Sequence, residues 1–269
     1  MKTTVQDALK NPEAFAAQYD RIVYDLAKQW IPSIPLLPRE KVLDVGSRHG
    51  RVAGLLAYAN PETQFHGITT AGYMEVIQKN PVLELLPNLT FEQQDLKTFS
   101  FQNRFDKIVS FGCLTWIEDK KPALASMFAS LKPGHKAYLQ LFVDHGQQWF
   151  DRCVFAVAAK PQWKGYFTDF KKKCKHCKPG EFIHFAEEVG FIPVKADLHT
   201  RKVEVASEDY FKNWMIGWSS HTRYLPEDKI DAFFSEVVET RLQMAPKDAE
   251  GRIFYEDIFF EVELLKPAE

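Results

Sequence analysis

The sequence predicts an α/β fold organised around a mostly parallel sheet. The first observation behind this is a regular alternation: short apolar runs bounded by turn residues are followed by amphipathic helical stretches. Strands alternating with helices form βαβ units, which leave the strands parallel. The second is a glycine-containing turn between the first strand and the helix after it. The third is size and composition. The chain has 269 residues, 45% hydrophobic and 26% charged. That suffices for one large core with an elaborated C-terminal part.

The elements follow in order. Asn11-Pro12-Glu13 reads as a helix start, with a cap, a proline at the first helical position and an acid near the positive dipole end. Phe15, Tyr19, Ile22, Val23, Leu26, Ala27 and Trp30 continue it at helical spacing, and Ile31–Pro38 closes it. Strands are predicted over Lys41–Val45, Gln64–Ile68, Leu89–Gln93, Phe105–Ser110 and Lys136–Val143. Helices are predicted over Gly50–Ala59, Ala71–Asn80 and Lys121–Leu131. Leu124, Met127, Phe128 and Leu131 share one face of the last, and Lys132-Pro133-Gly134 stops it. Asp144–Cys177 lacks a clean period. A helix around Phe182–Val189, a strand over Phe191–Leu198, a long amphipathic helix around Ile230–Leu242 and a strand over Arg252–Leu265 complete the chain.

Composition narrows the function classes. Net charge is −2, from 34 basic and 36 acidic side chains, which calls for neither a nucleic-acid nor a membrane partner. The N-terminus has no apolar signal region, and no apolar run approaches a membrane span. The cysteines, at 113, 153, 174 and 177, do not form a disulfide framework, so a cytoplasmic location is expected. Cys174, His176 and Cys177 resemble half of a zinc site, but a second half is missing. The reading adopted puts Cys177 near a helix start and the Lys171–Lys175 run in solvent.

The main chemical signal is Val42-Leu43-Asp44-Val45-Gly46-Ser47-Arg48-His49-Gly50-Arg51. A buried strand enters a turn whose glycines let the backbone approach a ligand. The following helix N-terminus offers free N–H groups. The spacing is Asp-x-Gly-x-x-x-Gly, not the dinucleotide-enzyme pattern. His49 either faces a ligand or lies in solvent. Trp214 and Trp218 share one helical face and read as core, and Asp106 reads as ordering its turn.

This segment resembles motif I of the class I S-adenosylmethionine-dependent methyltransferases, and later elements match in order. Phe65–Thr69 sits where that family ends its second strand. Gln94-Asp95-Leu96 sits where an acid reaches the adenine. Phe105–Ser110 resembles the fourth-strand motif, and Leu131–Gly134 the turn before strand five. The resemblance implies a Rossmann-like, seven-stranded, mostly parallel sheet in a single domain. Its parts would be a helical cap (1–40), a cofactor-binding core (41–143), a pocket-covering insertion (144–180) and a C-terminal completion of the sheet (181–269). It implies S-adenosylmethionine as cofactor, held by Asp44, Gly46, Ser47, Arg48, Gly50, Thr69, Thr70, Asp95, Leu96, Phe111 and Cys113.

A narrower resemblance is to small-carboxylate O-methyltransferases, including the trans-aconitate and juvenile hormone acid enzymes. It rests on Cys113-Leu114-Thr115-Trp116-Ile117, Gln18 and the 214–218 and 253–262 regions. By position it assigns the substrate carboxylate to Gln18 and Trp116. The partner implied is a small-molecule carboxylate, and oligomeric state is left open. No catalytic side chain is required, because a carboxylate is ionised at neutral pH.

Two positions depart from the pattern. The central glycine of motif I is Arg48, where a left-handed backbone costs a non-glycine residue roughly 1–2 kcal/mol. Its guanidinium offers a partner to the cofactor carboxylate instead. The acid that takes the ribose hydroxyls is Thr69; losing such charge-assisted bonds costs about 1.5–3 kcal/mol. Two functions follow: a methyltransferase acting on a small carboxylic acid, or a methyltransferase-like binding or regulatory protein with impaired catalysis.

Overall fold

The computed structural model describes residues 22–144, 148–171 and 176–268. The first described element is a helix over residues 22–30, α1, with a 3-10 turn at Ile31–Ser33 closing it. The strands are β1 (Lys41–Val45), β2 (Gln64–Thr69), β3 (Leu89–Gln93), β4 (Phe105–Phe111), β5 (Leu131–Phe142), β6 (Ile192–Val205) and β7 (Ile253–Leu265). Between them lie α2 (Arg51–Ala59), α3 (Ala71–Gln78), α4 (Pro81–Glu84), α5 (Lys121–Ser130), α6 (Trp149–Ala158), α7 (Pro179–Val189), α8 (Glu208–Trp218) and α9 (Glu227–Met244).

The seven strands form one sheet in the order β3-β2-β1-β4-β5-β7-β6. The pairs β1–β2, β1–β4, β2–β3 and β4–β5 are parallel, and β5–β7 is antiparallel. This is the parallel sheet that the alternation implied, in the Rossmann-like, seven-stranded, mostly parallel form that the family resemblance implied. The chain leaves β1 toward β2 and β3 on one side and returns to β4 and β5 on the other. The reversal opens a crevice beyond the carboxyl ends of β1 and β4, where open α/β sheets bind ligands.

The described residues fall into two compact units. The larger contains β1 to β5, α1 to α5 and α7, with the start of β6 and the end of β7. Leu43, Val45, Ile108, Leu139 and Leu141 fill its strands, and Leu124, Met127, Phe182 and Ala186 cover them from α5 and α7. At the amino ends of the strands, Asp106 accepts the Lys41 N–H at 2.8 Å and pairs with Lys132, so it orders that edge. The smaller unit holds α6, α8, α9, the end of β6 and the start of β7. Phe150, Val154, Phe211, Met215, Phe233, Phe234 and Val237 form its core.

Several elements differ from the sequence reading. The stretch read as lacking a period contains α6, whose Phe150, Cys153, Val154, Val157 and Ala158 are buried at helical spacing. Phe155 and Ala159 on other faces blur that pattern in the sequence. The predicted Ala71–Asn80 helix ends earlier, because Asn80 accepts the Val82 N–H at 3.1 Å and starts α4 at Pro81. Strand β6 runs to Val205, beyond the predicted Leu198. The N-terminal helix start at Asn11 lies outside the described residues.

Candidate functional site

The β1–α2 turn is held by its backbone. The N–H groups of Gly46 and Ser47 both donate to Ile68 O at 3.0 Å, and Gly50 N–H donates to Ser47 O at 2.8 Å. Gly46 has φ +83°, and a Cβ there would overlap the Cβ and Sγ of Cys113. A glycine is therefore required on two counts, conformation and space. Arg48 also lies in the left-handed region, at φ 52°.

Around this turn is a narrow cleft lined by Val23 of α1, Asp44, Gly46, Ser47, Arg48, His49, Arg51, Val52 and Phe111. It encloses about 300 Å³, including the part open to solvent. Of the residues singled out from the sequence, it gathers Asp44, Gly46, Ser47, Arg48 and Phe111, together with His49. Val23, Arg51 and Val52 were not foreseen. Val23 comes from a helix whose approach to the turn is a tertiary event, and Arg51 and Val52 lie on the first turn of α2.

Asp44 is the most perturbed group of the cleft. It is 2% exposed, and its Oδ2 has no hydrogen-bond partner among the described residues. Burial pushes its carboxyl up to about 7, with only the Ser47 hydroxyl opposing. A buried carboxylate with an unused oxygen favours a cationic or N–H-donating ligand group. Arg48 lies 5.2 Å over the Tyr73 ring of α3, and His49 meets the same ring edge-on at 4.8 Å. Arg51 lies 4.7 Å over Tyr24 of α1. The cleft thus presents one buried carboxylate beside a basic rim at the α2 N-terminus, which complements a zwitterion.

The remaining predicted residues lie outside the cleft lining. Thr69 is buried at the end of β2, and its hydroxyl donates to Arg48 O at 3.4 Å. Thr70 is the exposed cap of α3, without a side-chain capping bond. Asp95 is exposed and accepts the Lys97 N–H at 2.8 Å. Leu96 packs against the core. Gly50 caps α2 at φ +75°. Cys113 is buried beneath Gly46; burial pushes its thiol up to about 12, so it is not a thiolate nucleophile at neutral pH. Trp116 ends the 3-10 turn after β4 and is 39% exposed. Gln18 and Cys174 lie outside the described residues. Among the described residues, no group of His, Cys, Asp and Glu could hold a metal ion, and no helix is long and apolar enough to cross a membrane.

Whether the turn fits S-adenosylmethionine is decided by these contacts. The unused Asp44 oxygen and the basic rim of Arg48 and Arg51 fit the aminoalkyl end of such a compound, while Gly46 packs against Cys113. The Thr69 hydroxyl, engaged by Arg48 O, fits its ribose end less well. A family model for a methyltransferase domain matches residues 17–196. The trans-aconitate 2-methyltransferase of Variovorax paradoxus is 28% identical over 138 residues, 51% of this chain and 51% of that protein. The chain spans about half the length of the curated relatives it matches. Among solved structures, the YcgJ protein of Bacillus subtilis superposes with a TM-score of 0.63 at 15% identity, covering 90% of this chain and 97% of that one. Phosphoethanolamine N-methyltransferase 2 of Haemonchus contortus, in complex with phosphomonomethylethanolamine and S-adenosylhomocysteine, gives 0.55 at 18% identity, covering 91% and 53%.

Proposed function

Because the chain belongs to the methyltransferase domain family, we propose that it transfers a methyl group from S-adenosylmethionine to the carboxylate of a small organic acid. The observation that carries this is Asp44: a buried carboxylate with an unused oxygen, at the turn where the sheet reverses. The carboxylate substrate is supported by the trans-aconitate relative and by the sequence around Trp116.

The cofactor supplies an electrophilic methyl on a sulfonium, whose carbon–sulfur bonding pair stays with sulfur as the new ester bond forms. The chain's own residues bind and align. Asp44 receives the ammonium of the aminoalkyl end. Arg48 and the first N–H groups of α2 face its carboxylate. Phe111 and Val23 exclude water from the sulfonium side. Thr69, Thr70, Asp95 and Leu96 serve the adenosine end, and Trp116 the substrate carboxylate. No general base is needed, since the acid is already ionised. Catalysis is then alignment and desolvation.

The Arg48 backbone and the Thr69 hydroxyl favour a second reading, a cofactor-binding module with impaired turnover. Calorimetric titration with S-adenosylhomocysteine separates the outcomes. Saturable binding is expected, and absence of heat at millimolar ligand would remove both readings. Given binding, ester formation from a panel of di- and tricarboxylic acids supports the enzyme, and its absence supports the module. Trp116→Ala should abolish ester formation while leaving the titration unchanged; an unchanged rate would take Trp116 out of the site.

A further inference from the structure

Strand β6 ends the sheet, and no described strand lies on its outer side. Its first half carries an unusual load of exposed apolar surface. Ile192, Val194 and Leu198 are 47%, 45% and 52% exposed, and Ala196 between them is exposed too. Even-numbered residues of a strand share a face, so these four form one apolar stripe. On the opposite face Lys195 and Asp197 pair at 3.2 Å and are both partly open to solvent. A long edge of this kind is a template for another strand.

From this edge we infer that two copies of the chain associate by antiparallel pairing of β6 about a twofold axis through Ala196. The register follows from charge. Residues directly opposite in an antiparallel pair point to the same face, so self-pairing must be centred on a residue, not between two. Centring on Lys195 sets lysine against lysine, and centring on Asp197 sets aspartate against aspartate. Centring on Ala196 sets Lys195 against Asp197 of the second copy, twice by symmetry. It also sets Val194 against Leu198 of the second copy, twice. Charge and apolar faces are then both complementary, as an isologous interface requires.

Sedimentation velocity on the full chain over a range of concentrations tests this. The wild type should show a concentration-dependent dimer. Lys195→Asp and Asp197→Lys should each weaken association by about tenfold, since two opposite-charge pairs become like-charge pairs. The double swap should restore it. Amide exchange in the wild type supplies a readout independent of any variant: residues 192–199 should exchange more slowly as concentration rises. A wild type that stays monomeric, a double swap that fails to recover association, or exchange insensitive to concentration would each overturn the proposal.

Discussion

At the scale of single residues, the cleft is governed by what Asp44 and Arg48 cost the folded chain. Asp44 is held near 7 by burial, well above an unfolded carboxyl. Between about pH 4 and 7 the folded state therefore binds more protons than the unfolded one, and stability falls as pH rises, by up to about 1.4 kcal/mol per pH unit. Asp44→Asn should flatten part of that fall and raise the melting temperature at pH 8. Asp257 in the smaller unit is also pushed up to about 7 by burial, so the variant is needed to isolate Asp44. Thermal melts across pH 4–8 check this; identical profiles would show that Asp44 is not desolvated. The same substitution should weaken S-adenosylhomocysteine, because an ammonium loses its counter-charge. For Arg48, a glycine relieves the left-handed backbone, a gain of roughly 1–2 kcal/mol in denaturant unfolding. Thr69→Asp should tighten an adenosyl ligand about 10- to 100-fold by restoring charge-assisted bonds to the ribose. Weaker binding in Thr69→Asp would mean that the ribose does not lie at the end of β2.

At the scale of elements, the turn between β1 and α2 is clamped from below. Gly46 sits against Cys113, so Gly46→Ala forces the turn away from the 3-10 element after β4. The expected result is lost ligand binding together with lowered stability, read by titration and melting on one sample. In the smaller unit, Phe233 of α9 is fully buried against Trp163, Phe167 and Phe234, with ring centroids 5.2–5.3 Å apart. Phe233→Ala should cost about 3–5 kcal/mol in urea unfolding, from lost transfer energy and the cavity left behind. The sequence reading found α9 because Ile230, Phe233, Phe234, Val237 and Val238 repeat at helical spacing along a single buried stripe. It missed α6, whose stripe is as regular but is followed at once by apolar residues on other faces. Period alone does not separate the two cases.

At the scale of the whole molecule, the sheet reverses direction at β1, and this places the cleft. The reversal is a property of strand order, β2 and β3 on one side and β4 and β5 on the other. It brings Phe111 from the end of β4 to the same wall as Gly46 and Asp44. The β6 edge, the last of the described strands, belongs to this scale too, and the charge-swap experiment there reports on assembly without touching the cleft.

Local chemistry in the sequence determined the strands, the turn and the family. Asp44, Gly46 and Gly50 stand at spacings that require a βα turn, and the alternation of periods requires a parallel sheet. Those signals are short-range, so they survive in a linear reading. The tertiary structure decided which of the named residues meet. Thr69 spends its hydroxyl on Arg48 O, and Asp95 spends an oxygen on its own turn. Val23 enters the cleft from a helix that carries no local mark of it. It also decided the state of Asp44: a carboxyl rises to about 7 only when surrounding elements remove its water, and no run of residues encodes that alone.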